Sequence, residues 1–184
     1  MGLRREWQTG GATTYYERSG NHGGRRSGQG DSTGGPFPER SAEDACPTLV
    51  IEAGYSESLQ RLRNDMQWWF SASNHGVKIV LLVKFDPRRQ EILLEKWEEE
   101  PRGQRPGAAT TRSMGSLAPV KRQTVTITKD PTSPDTYNVA RGALVLSFRL
   151  LFLRDPNPGE GDIVFSIQDL EEIAQSVWRA LPRS

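Results

Sequence analysis

Apolar residues along this chain fall into two spacings. Residues 47–53 (PTLVIEA) and 77–83 (VKIVLLV) are nearly continuous runs of aliphatic and β-branched side chains, the pattern of strands covered on both faces. Between them Leu59, Leu62, Met66, Trp69 and Phe70 recur at steps of three and four, which predicts an amphipathic helix. Ser56 or Ser58 would cap its start, and Asn74-His75-Gly76 would end it with Gly76 in the left-handed conformation. Strand, helix, strand with both strands buried predicts a right-handed parallel crossover.

Downstream, residues 91–97 (EILLEKW) read as a strand that pairs with its predecessor, and 123–128 (QTVTIT) alternate as a half-exposed strand does. Glu95 and Lys96, being adjacent on such a strand, must point to opposite faces. Residues 143–153 (ALVLSFRLLFL) read as one long strand and 163–165 as a short one. Ser166 with Asp169 makes a capping box before a closing helix marked by Leu170, Ile173, Val177 and Leu181. The fold class this predicts is α/β, a mixed sheet with flanking helices.

Composition adds a boundary. Hydrophobic residues make up 35% and the mean hydropathy is -0.63, but the deficit is local. Residues 1–46 are rich in Gly, Arg, Ser and Thr and hold no apolar run, so they are expected to be disordered, with the folded domain at 47–184. A second disordered stretch is expected near 100–118. The net charge of +1, from 24 Lys+Arg against 23 Asp+Glu, argues against a nucleic-acid coat protein but allows a local basic groove. A lone cysteine, Cys46, cannot form an internal disulfide, which suits a reducing, intracellular setting. No apolar run is long enough for a membrane span.

The residue that stands out is Glu52, an acid at the end of a core strand, the edge where ligands bind in open α/β sheets. It either accepts from the amides of the following helix or faces a cation. Asp31 lies upstream, in Gly30-Asp31-Ser32-Thr33. Two carboxylates converging from these positions can hold Mg²⁺ through hard oxygen ligands. Trp69 and Phe70 have the spacing of a core stripe and Trp68 sits at its amphipathic boundary, which favours packing over a base-stacking platform. His22 and His75 are too far apart, with no cysteine cluster, to make a zinc signature.

Asp31, PTLVIEAGYSESLQRLRNDMQWWFSASN, VKIVLLVKF and EILLEKWE together resemble a group of uncharacterised fungal proteins with a restriction-endonuclease-like domain, within the PD-(D/E)XK nuclease superfamily. The likeness covers residues 47–99 best and extends over 142–181. It implies a core of helix, three-stranded meander, second helix and fourth strand. It also implies a Mg²⁺-dependent phosphodiesterase acting on DNA, with Asp31 and Glu52 as metal ligands. Gly30 stands where the superfamily has proline, and Gly54 where it has the lysine two residues after the second acid. Arg61 on the helix is then the candidate replacement for that lysine. The first helix and first strand are not legible in residues 1–30, which implies a core truncated on that side. The other class of function open to this chain is a non-catalytic interaction domain on the same scaffold, binding a protein partner or a second copy.

Overall fold

The computed structural model describes residues 6–11, 14–16, 27–42, 45–102, 117–133 and 136–180. In chain order these form strands β1 (Trp7–Gly10), β2 (Thr14–Tyr16), β3 (Ser27–Gln29), β4 (Ser32–Pro36) and β5 (Leu49–Gly54), then helix α1 (Leu59–Ala72). Strands β6 (Ile79–Asp86), β7 (Glu91–Pro101), β8 (Leu117–Lys129), β9 (Tyr137–Ala140) and β10 (Leu144–Leu146) follow. Helix α2 (Phe148–Phe152), strand β11 (Ile163–Phe165) and helix α3 (Ile167–Ala180) complete the order. The protein is an α/β fold with a large mixed sheet and few helices. Seven strands lie in the order β1-β4-β5-β6-β7-β8-β9. Their pairings are antiparallel except β5 with β6, the two strands joined by α1.

Strand alternation divides the core between the two faces of the sheet. On one face Val50, Val80 and Leu82 meet Leu62, Met66, Trp69 and Phe70 of α1. On the other, Ile79, Leu81, Ile92, Leu94, Val125 and Ile127 meet β10, α2 and α3 through Leu144, Leu146, Phe148, Phe152, Leu170 and Ala174. Each large side chain so buried contributes about 1.5–3 kcal/mol, which is what keeps three layers together. Thr48, fully buried just before β5, donates its hydroxyl to the Leu151 carbonyl at 2.8 Å and so ties the sheet to α2. Thr48→Val keeps the shape and removes that donor. It is expected to lower stability by about 1 kcal/mol in urea denaturation, and an unchanged midpoint would contradict the role.

Three expectations are corrected. The described part of residues 1–46 is not outside the fold, because β1 and β4 are two of the seven strands. A composition count misses this, since β4 contains little apolar area of its own. Its Gly34 instead lies flat under the Trp7 indole, where a Cβ would come within 2.4 Å of the ring, and Trp7 in turn packs on Phe152. β1 also supplies a strand that residues 1–30 did not reveal as sequence.

Residues 143–153 are not one strand but β10 followed by α2. Phe148, Leu151 and Phe152 have helical spacing and all three are buried, and Leu153 at φ 56 ends the turn. Finally, the left-handed residues after α1 are Asn74 (φ 50) and His75 (φ 62) rather than Gly76. Asn and His tolerate that region better than most residues, and Gly76 is needed for closeness, since a Cβ would lie 2.9 Å from the Ser73 carbonyl.

The expected loop near 100–118 falls largely outside the described residues, as do His22 and Leu181. Among the described residues no helix is long and apolar enough to cross a membrane.

One charged cluster lies inside the α1 face. Glu95, 1% exposed, accepts from Arg63 at 3.0 and 2.6 Å, from Lys121 at 3.1 Å and from the Trp97 indole at 3.0 Å. A register shift between β7 and β8 makes this possible: Lys96 faces Gln123 but Trp97 faces Lys121, so Arg122 is the extra residue. A one-residue slip turns a side chain to the other face. Gln123 therefore bonds to Ala143 on the β10 side, whereas Lys121 reaches Glu95 on the α1 side. Lys96, as its adjacency to Glu95 requires, points the other way, donating to the Val145 carbonyl at 2.8 Å and pairing with Glu98.

Candidate functional site

Val50 and Glu52 point to the same face of β5, toward α1, because they are two residues apart. Gly54 ends the strand, and the first turn of α1 closes so tightly over it that a Cβ would meet Leu62 Cδ1 at 2.9 Å. A lysine at this position would have to displace the end of the Leu62 side chain. Of the two candidate caps it is Ser58 that acts, its Oγ accepting the Arg61 N–H at 3.2 Å. The site thus forms at the carboxyl end of the parallel pair β5–β6, as the sequence position of Glu52 suggests.

Asp31 arrives from the neighbouring strand. The β4–β5 register sets Ser32 against Ile51, so the residue before β4 falls beside the Glu52–Ala53 peptide. There Asp31 Oδ2 accepts the Ala53 backbone N–H at 2.7 Å. Glu52, 9% exposed, accepts the Trp69 indole N–H on Oε1 at 2.5 Å. Burial raises the Glu52 pKa, the Trp69 hydrogen bond offsets part of that, and the charges of Asp31 and Asp65 raise it again, to about 7.

Around these acids lies a cavity of about 550 Å³. Its floor is Asp31, Glu52 and Ala53, one wall is β3, and the other is the α1 face that carries Arg61, Asp65 and Trp68. The β2–β3 hairpin is set against α1 through Gly28, where a Cβ would lie 2.1 Å from the Trp68 ring. Tyr15 of the same hairpin meets Trp69 edge-on at 5.5 Å and contacts Thr33 through its hydroxyl.

All three candidate residues, Asp31, Glu52 and Arg61, therefore line one cavity. The electrostatic partner of Arg61 there is Asp65: burial raises the Asp65 pKa, Arg61 lowers it and Glu57 raises it, with a net upward shift. Two contributors were not legible as site residues. Trp69 satisfies the core spacing and is core, yet its indole N–H serves Glu52. Asp65 sits one helical turn after Arg61, and that spacing was the only available signal for it.

As a donor set, Asp31 and Glu52 each have one oxygen taken by an N–H group and, among the described residues, one without a hydrogen bond. No group of three or more His, Cys, Asp or Glu placed to hold a metal ion occurs among the described residues. In comparisons with known proteins, no family model matches the chain, and no curated protein matches it either.

Proposed function

We propose that this cavity is a divalent-cation site and that the protein is a metal-dependent phosphodiesterase on a restriction-endonuclease-like domain, with DNA as the substrate class. The observation that carries this reading is the meeting of Asp31 and Glu52 across β4 and β5 at one cavity. Two carboxylates that each have, among the described residues, one oxygen without a hydrogen bond suit Mg²⁺, which is commonly held by one or two carboxylates plus waters and substrate phosphate. The order of elements supports it too. β1, β4 and β5 run as an antiparallel meander, α1 follows, and β6 returns parallel to β5. Asp31 precedes the second strand of that meander and Glu52 lies on the third.

Bound there, Mg²⁺ would supply Lewis acidity toward a phosphoryl oxygen and a more acidic water. The chain's own residues have distinct tasks. Asp31 and Glu52 hold the ion, and the Ala53 and Trp69 N–H groups fix their orientation. Arg61, permanently charged, cannot shuttle a proton but can stabilise negative charge growing on phosphate. Among the described residues, the other charges lining the cavity, Glu57 and Asp65, are acidic, which suits a cation more than a phosphate.

A second reading, a non-catalytic interaction domain, is favoured by an apolar cavity of about 490 Å³ on the opposite face. Trp7, Leu146, Leu151, Phe152, Ile163 and Phe165 line it, and a partner protein's apolar side chains would fill it. Calorimetric titration with Mg²⁺ or Mn²⁺ separates the two. Saturable binding by the intact protein, abolished in Asp31→Ala and Glu52→Ala, is expected, followed by Mg²⁺-dependent cleavage of DNA. A folded protein that binds neither ion would overturn the enzyme reading and leave the interaction domain.

A further inference from the structure

We propose that Trp69 is a positioning residue that commits Glu52 to single-oxygen ligation and thereby makes the site prefer Mg²⁺ to Ca²⁺. The inference rests on the cavity being a divalent-cation site and adds which cation the protein selects and by what means.

The indole N–H is a donor only, so it can engage a carboxylate oxygen but never a cation. Trp69 is 2% exposed and cannot swing away. Its ring is held edge-on by Tyr15 and by Trp68, at 5.5 and 4.9 Å between centroids. Glu52 Oε1 is therefore occupied by a rigid partner, and Oε2 is the oxygen left for a ligand. Asp31 is held in the same way, its Oδ2 on the Ala53 N–H, a backbone group that cannot rotate away without disturbing the end of β5.

Each carboxylate therefore has one oxygen committed to an N–H group and, among the described residues, one without a hydrogen bond, which favours ligation through that second oxygen. Ca²⁺ takes six to eight oxygens and often uses both oxygens of a carboxylate, whereas Mg²⁺ keeps near-octahedral geometry and retains several waters. A site with two single-oxygen carboxylates, the remaining positions filled by water, matches the smaller ion. Hydrogen-bonded partners of ligating carboxylates are worth about 10–100-fold in metal affinity.

The test uses Mn²⁺ as a reporter ion on the full chain at pH 8, displaced by Mg²⁺ or by Ca²⁺, in the intact protein, Glu52→Ala and Trp69→Phe. Phenylalanine keeps the aromatic packing and removes the N–H. The intact protein is expected to bind Mn²⁺, and Mg²⁺ to displace it more effectively than Ca²⁺. In Trp69→Phe that preference should fall by about 10-fold, since Oε1 becomes available for two-oxygen ligation. A mere loss of packing would weaken both ions alike.

No Mn²⁺ binding by the intact protein, or binding indifferent to Glu52→Ala, would overturn the cation site itself. Binding that depends on Glu52 but with Ca²⁺ as effective as Mg²⁺, or with an unchanged ratio in Trp69→Phe, would overturn the role of Trp69 alone. Equal displacement by Ca²⁺ and Mg²⁺ in the intact protein overturns the proposal even if Trp69→Phe fails to fold.

Discussion

Replacing Glu95 by alanine is expected to cost about 3 kcal/mol of folding stability, measured as a shift of the urea denaturation midpoint at neutral pH. Glu95 is the single anion on which Arg63, Lys121 and the Trp97 indole converge within the α1 face. Removing one member of a buried ion pair costs about 3–5 kcal/mol because the remaining charge is stranded. The lower figure applies because Arg63 and Lys121 are 32% and 39% exposed and can partly return to water. Burial pushes the Glu95 pKa up, but the Arg63, Lys121 and Trp97 hydrogen bonds and the Arg63 charge bring it below the ordinary glutamate value. With the folded pKa depressed, this contribution is present above the unfolded pKa and is lost as pH falls through the folded one. The cost of Glu95→Ala should accordingly shrink in acid. A loss below about 1 kcal/mol at neutral pH would mean that the cluster behaves like an exposed pair.

Glu52 titrates in the opposite sense, and Glu52→Gln should reveal it. The folded pKa of about 7 lies above the ordinary glutamate value of 4.5, so the native state holds this proton more tightly than the unfolded chain. The resulting stability is complete below the unfolded pKa and is lost as pH rises through 7. At 1.36 kcal/mol per pKa unit the amount at stake is about 3 kcal/mol. Glutamine still accepts the Trp69 N–H and does not ionise. Stability curves recorded with chelator from pH 4 to 8 should therefore show Glu52→Gln gaining on the parent protein as pH rises. Parallel curves would mean that Glu52 keeps an ordinary pKa. The same ionisation ties function to pH, because the carboxylate must lose its proton before it can ligate a cation.

Much of this was legible in the chain. Two buried runs around a helical stripe led to β5, α1 and β6 in parallel, and the Ser166–Asp169 reciprocal cap occurs as read. These are local signals, since period and capping chemistry are set within a few residues. Glu52 stood out for the same reason, as one charge interrupting an apolar run. The misreading of residues 143–153 was also local. An unbroken apolar run satisfies strand and helix alike, and only the packing of Phe148 and Phe152 selects the helix.

By itself, then, the sequence determined which segments are strands and helices over most of the core, the crossover between β5 and β6, and the candidacy of Asp31, Glu52 and Arg61. Tertiary structure alone decided that a glycine-rich β4 belongs to the sheet, because Trp7 supplies the apolar cover that its own residues lack. It decided that Asp31 reaches Glu52, since a β4–β5 register is a non-local pairing with no signature in either strand alone. It also decided that a core tryptophan holds a carboxylate and that one extra residue in β8 turns Lys121 toward Glu95. Hydrophobic period records which face a residue takes within its own element. The partner it meets there depends on register, bulges and layers, which arise only when distant segments pack.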